Sequence, residues 1–142
     1  MTLNNMEACN MVANSIHIGT RLPELRVTMS AQKIISAAAA TRDWQPIHHD
    51  YEIASKSGLR GIILNAPSQA GWISKYITDW TGPHARIKRL AFKMKDSICP
   101  GDELIIKGEI ISKTDDFITA EVSLLVGDKL KTSAEVCFSL PA

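Results

Sequence analysis

PSQAGWISKYITDW, residues 67–80, is the stretch on which the fold turns. Proline suits the first position of a helix, where an N–H would have no partner. Ala66, Ala70, Ile73, Ile77 and Trp80 then fall on one stripe, and Trp72 and Tyr76 widen it. The spacing predicts a helix over 67–80, largely buried rather than amphipathic at a surface, and ended by Gly82-Pro83. A helix buried in this way has to be covered on most sides.

The flanking sequence supplies the cover. Leu25, Val27 and Met29 alternate with Arg26 and Thr28, so Leu22 to Met29 reads as a first strand. Ser30 is placed to cap a helix from Ala31 to about Ala40, and Asp50 to cap a short one that Gly58 stops. Leu59 to Leu64 is an apolar connection broken by Arg60 and Gly61. After the long helix come four strand-like runs: Ile87 to Met94, Glu103 to Ser112, Phe117 to Val126 and Lys129 to Leu140. Pro100-Gly101 marks a turn, and the short links 113–116 and Gly127-Asp128 suggest antiparallel hairpins. The expectation is an α+β fold, one antiparallel sheet around one helix, in a single domain over residues 20–142. Residues 1–19 read as an N-terminal extension, with Met1 to Asn14 weakly ordered or at most a marginal helix.

Composition narrows the classes. With 142 residues, 45% hydrophobic and 22% charged, the chain suits one globular domain with a proper core. A net charge of +1 gives no reason to expect a nucleic-acid partner. Cys9, Cys99 and Cys137 are widely spaced with no CxxC, and fit reduced thiols in a cytoplasmic protein. Met1 to Gly19 lacks the basic start and apolar run of a signal peptide, and no stretch has the length to span a bilayer. His17, His48, His49 and His84 make no paired ligand spacing, so no metal site is expected. There is no GxSxG nucleophile motif and no Gly-rich phosphate loop.

Chemistry concentrates in Asp43-Trp44-Gln45-Pro46-Ile47-His48. Pro46 fixes its own φ and pushes Gln45 toward an extended conformation, so the spacer is predicted to be non-helical. Such a spacer can turn a carboxylate and an imidazole into one small space. Adding or removing water across a carbon–carbon bond needs such a pair, one group for the proton at carbon and one for the proton at oxygen. The plainer reading of the same residues is that Asp43 caps the following helix and His48 sits satisfied at a loop edge.

The segment resembles the signature of the MaoC-like hydratases and dehydratases, the (R)-specific enoyl-CoA hydratases of the hot-dog fold. That signature runs D-x-N-P-[LIV]-H, then five residues and a small one. Here Ala54 is the small residue, and Gln45 is the one departure, standing where asparagine is usual. The resemblance extends from about Leu22 to the C-terminus and includes the Pro100-Gly101-Asp102 turn. It implies a sheet wrapped around the 67–80 helix, and dimers in which two sheets join edge to edge. It implies reversible hydration of a 2-enoyl thioester, with coenzyme A entering as part of the substrate and no separate cofactor. Asp43 would accept a proton from the attacking water and His48 would deliver one to C2. A backbone N–H at the start of the buried helix would face the thioester carbonyl as enolate charge develops. The family uses a glycine preceded by a histidine there. Counting from His48, this chain has Asn65-Ala66. An alanine would be strained if that position needed a positive φ.

Four residues are therefore candidate substrate contacts: Gln45, Asn65, Ala66 and Ser68. Gln45 would orient a partner or the water, or else point to solvent. Ser68 and Gln69 would line the pocket or serve as caps. His49 is left out of the site, and Trp72 and Trp80 are expected in the core. Arg86, Lys88, Arg89, Lys93 and Lys95 form a basic run, either a solvated sheet face or a contact for coenzyme A phosphates. Three function classes follow. The first is a hydratase acting through Asp43 and His48. The second is a weakly active or non-catalytic hot-dog subunit binding acyl-CoA in a hetero-oligomer; the partner expected for either is a second copy, as a homodimer, or a related hot-dog subunit. The third, a thioesterase, is disfavoured because residues 67–75 carry no acidic group.

Overall fold

The computed structural model describes residues 13–141. The expectation for Met1 to Asn14 falls almost wholly outside them. Residues 13–19, counted above with the extension, lie against the domain: Ile16 is buried, and Lys113 Nζ donates to the carbonyls of Ala13 (2.8 Å) and Ile16 (2.9 Å). The element order is a 3-10 turn (Ala13–Ser15), β1 (Arg21–Thr28), α1 (Ala31–Ala40), a second 3-10 turn (Pro46–His48), α2 (Tyr51–Lys56), α3 (Ala66–Thr81), β2 (Arg86–Met94), β3 (Glu103–Lys113), β4 (Ile118–Val126) and β5 (Lys129–Ser139).

The five strands make one antiparallel sheet in the order β1-β3-β4-β5-β2. Along β4, Ile118, Ala120, Val122 and Leu124 alternate inward, and along β5 so do Thr132, Ala134, Val136 and Phe138. That period of two gives the sheet one apolar face. The register slips once in each of the four strand pairs. Slips of this kind bend and twist a sheet, which curls it toward α3. The slip in β1 holds Pro23, on an edge strand where the missing N–H leaves no ladder bond unmade. The result is the α+β hot-dog arrangement.

α3 meets the sheet through Ile73, Tyr76 and Ile77. Gly108 of β3 lets the Tyr76 ring lie close, since a Cβ there would stand 3.0 Å from Tyr76 Cε1. The buried face differs from the expected stripe. Ala66, Ala70 and Trp80 are only half-buried, and the polar Ser68 and Gln69 are buried in their place. Pro67, Gly71, Lys75 and Asp79 form an exposed line, because one sheet covers one side of a helix. α3 is thus amphipathic, contrary to the sequence reading. Gln69 is satisfied where it is: Thr132 Oγ1 donates to its Oε1 (2.5 Å), and its Nε2 donates to the Leu64 carbonyl (3.3 Å). Asp50 caps α2 by accepting from Glu52 N (2.9 Å) and Ile53 N (3.0 Å), and Ser30 caps α1 through Lys33 N (3.1 Å). Among the described residues no helix is long and apolar enough to cross a membrane.

Candidate active site

The site is built where three chain segments end beside one another. α1 closes in a Schellman turn: Asp43 N donates to Ala38 O (2.9 Å) and Arg42 N to Ala39 O (3.1 Å). Arg42 takes the left-handed position at φ 54°, which glycine usually fills. This turn fixes where the Asp43 backbone leaves the helix. Gln45 stays extended (φ −61°, ψ 124°) as Pro46 requires, but Pro46 to His48 then form a 3-10 turn, correcting the expectation of a non-helical spacer. A proline φ is also a helical φ, so Pro46 starts a turn as readily as it blocks one.

The turn brings His48 back toward Asp43, with His48 Nε2 3.3 Å from Asp43 Oδ2. His48 is buried and Asp43 half-buried. The other ring nitrogen, His48 Nδ1, is 2.7 Å from the Ile63 carbonyl oxygen. A carbonyl only accepts, so Nδ1 carries hydrogen and Nε2 is the nitrogen left to exchange a proton. Toward a carboxylate, Nε2 makes a hydrogen bond when it is itself protonated. The pair is therefore wired to hold one mobile proton between a base and an acid.

The Ile63 carbonyl is held from both sides. Ile63 N donates to Ile47 O (3.1 Å), and Leu64 N donates to Ile98 O (2.9 Å). This backbone platform under His48 is a feature the sequence reading missed, since any residue supplies a carbonyl. Behind it, Arg60 forms a two-pronged ion pair with the buried Asp102 (2.9 and 2.7 Å), which also accepts from Cys99 N (2.9 Å).

The third segment is the start of α3. Asn65 is its N-cap and is 2% exposed. Its Nδ2 donates to Asp43 Oδ2 (3.0 Å) and Thr41 Oγ1 (2.9 Å). Its Oδ1 accepts from Ser68 N (3.2 Å) and from the Ser68 hydroxyl. The Asn65 amide holds the Asp43 carboxyl below the ordinary carboxylate range against the upward push of burial, helped by the Gln45 N–H and by His48. The Ala66 N–H meets no acceptor among the described residues and points from a helix amino end. Ala66 does not have a positive φ; among the described non-glycine residues only Arg42 does. The expected strain at alanine is therefore absent.

The remaining candidates fall as follows. Gln45 reaches Asp43 through its backbone N–H, 3.4 Å from Oδ1, while its side chain lies exposed. His49 and Trp44 are exposed, outside the pair. Arg86 donates to the Pro83 and Ala85 carbonyls (2.8 Å each) and Arg89 pairs with Glu135 (3.5 Å). Among the described residues no group of three or more His, Cys, Asp or Glu is placed to hold a metal ion. Beside the site, a groove of about 310 Å³ runs between α1 and α3. Ala37, Ala40, Pro67, Gly71 and Trp72 give it apolar walls, and Lys75, Thr41 and Ser68, the last two bonded to Asn65, also line it.

A carboxylate and an imidazole thus meet at the amino end of a helix packed against a hot-dog sheet, the arrangement that the resemblance to MaoC-like proteins implies. Residues 13–136 match the family model described as "MaoC like domain", and the chain belongs to the MaoC-like dehydratase family. The beta subunit of 3-oxo-4,17-pregnadiene-20-carboxyl-CoA hydratase of Mycobacterium tuberculosis is 33% identical over 121 residues, 84% of this chain and 94% of that protein. A chain in the crystal structure of the ChsH1-ChsH2 complex from Mycobacterium tuberculosis is 32% identical, with a TM-score of 0.85 over 87% of this chain and 98% of that one. The (R)-hydratase from A. caviae involved in PHA biosynthesis shares the fold, at TM-score 0.83 and 21% identity over 91% of this chain and 100% of that one.

Proposed function

We propose that the chain catalyses reversible addition of water across the C2–C3 double bond of a 2-enoyl thioester of coenzyme A. The observation that carries this reading is the Asp43–His48 pair at 3.3 Å, with His48 Nδ1 committed to Ile63 O. In hydration, Asp43 takes a proton from water as the oxygen bonds to C3. Protonated His48 gives its Nε2 proton to C2, and the double-bond electrons pass toward the thioester oxygen and back to C2. The Ala66 N–H is the donor for that oxygen while it bears charge. Turnover leaves Asp43 protonated and His48 neutral, and transfer across the pair restores the start. Dehydration is the reverse.

The groove between α1 and α3 takes the acyl group. Its small residues keep it open and Trp72 offers a flat wall, which suits a broad apolar acyl group such as the steroid named for the mycobacterial hydratase beta subunit. Two sheet edges, β1 and β2, are unpaired within the described chain. Together with relatives solved as two-subunit complexes, this supports assembly with a second subunit of the same fold. The test is loss of enoyl absorbance across a panel of trans-2-enoyl-CoA thioesters, short-chain to steroidal, with the purified protein alone and with a candidate partner. Turnover of any member supports the proposal. No turnover under either condition, with ligand binding retained, assigns the chain as a non-catalytic subunit instead.

A further inference from the structure

The Asn65 side chain has no hydrogen-bonding capacity left for a substrate. An amide offers two donor hydrogens and two acceptor lone pairs. Thr41 Oγ1 and Asp43 Oδ2 take the two hydrogens, and the Ser68 N–H and hydroxyl take the lone pairs. The orientation is dictated as well. Ser68 N–H can only donate, so Oδ1 must face the helix and Nδ2 must face the carboxylate. The Thr41 hydroxyl hydrogen is turned toward the Ala37 (2.9 Å) and Ala38 (3.2 Å) carbonyls, which leaves its oxygen as an acceptor for Asn65.

We propose that Asn65 is a positioning residue for Asp43. It ties the carboxylate to the ends of α1 and α3, so that Oδ2 faces His48 while Oδ1, which accepts from the Gln45 N–H, keeps a lone pair for water, and it does not contact the thioester. The position that precedes the α3 amide donor thus acts on the base rather than on the substrate. The downward shift at Asp43, whose largest cause is the Asn65 hydrogen bond, agrees with this geometry. Of the groups in contact with the carboxylate, the Gln45 N–H, the Asn65 amide and the His48 ring, only His48 is an ionisable side chain. The inference rests on Asp43 acting as the base of the proposed hydration.

Two variants test it. Asn65→Asp keeps an oxygen for Ser68 N and suits a cap position, but removes the donor and sets a second carboxylate beside Asp43. Asn65→Ser keeps the cap and withdraws from Asp43. Both are expected to keep KM within about twofold of wild type and to lose kcat, up to roughly a hundredfold as the base is misplaced. The acid limb of kcat moves to higher pH, further in Asn65→Asp. A readout free of turnover is the 13Cγ shift of Asp43 followed through a pH titration, expected to titrate at higher pH in Asn65→Ser than in wild type. A raised KM with kcat and the pH limb unmoved would overturn the proposal in favour of substrate contact. An unmoved Asp43 titration would overturn it as well. Because that titration needs no substrate, it stands even if the hydratase reading fails.

Discussion

Gly108→Ala probes how closely α3 sits on the sheet. Gly108 does not have a positive φ, so alanine brings no backbone strain and the test is one of space. The added Cβ would stand 3.0 Å from Tyr76 Cε1, 3.3 Å from Leu22 Cδ2 and 3.4 Å from the Tyr76 hydroxyl. The tyrosine is buried among core side chains and cannot swing away, so the helix or the strand must shift. Overpacking of this kind costs about 1–3 kcal/mol. Replacing a mid-strand glycine returns about 0.5–1 kcal/mol from the unfolded chain. The balance is a loss of about 1–2 kcal/mol, or roughly 3–8 °C in Tm for a chain of this size. Urea unfolding followed by tryptophan fluorescence reads it, since Trp72 and Trp80 pack beside the core. Tyr76→Leu should recover part of the loss, with a coupling energy of about 1 kcal/mol in the double-mutant cycle. Stability equal to or above wild type in Gly108→Ala, or strict additivity with Tyr76→Leu, would refute the packing argument.

Other perturbations follow from the same geometry. Arg42→Gly removes a side chain from a left-handed cap residue and should raise stability by up to about 1 kcal/mol, read as an upward shift of the urea midpoint. Burial pushes the Asp102 carboxyl up, but the Arg60 guanidinium and the Cys99 N–H overcome this and hold it below the ordinary value. That contribution is present above the unfolded pKa of about 4 and is lost as pH falls through the folded value. Arg60→Met leaves burial opposed only by the Cys99 N–H and the Lys131 charge, so its acid-unfolding midpoint, followed by circular dichroism, should move to higher pH. At neutral pH the variant should lose about 2 kcal/mol, since a buried carboxylate keeps one backbone donor.

The sheet, its hairpins and the three helices were legible because each rests on local signals: alternation along β1, strand-like runs broken by short turn links, side-chain caps at Ser30 and Asp50, and Gly-Pro after α3. Asp43 and His48 were legible as a carboxylate and an imidazole at a spacing. What pairs them was not, since it is backbone: the Ile63 carbonyl that sets the imidazole tautomer, and the Arg42 turn that aims the carboxylate. The buried face of α3 was misjudged at its first turn because Ser68 and Gln69 read as polar. Their burial depends on partners 3 and 63 residues away, Asn65 and Thr132. Asn65 was placed at the site, but sequence spacing alone did not reveal that its amide faces Thr41, Asp43 and Ser68.

The most direct measurement is hydration of a trans-2-enoyl-CoA by wild type, Asp43→Asn and His48→Ala at matched folding, checked by near-UV circular dichroism. General acid–base groups contribute typically 10²–10⁴-fold each. The account predicts loss of that order in both variants, with native spectra. Turnover unchanged in either variant would contradict it.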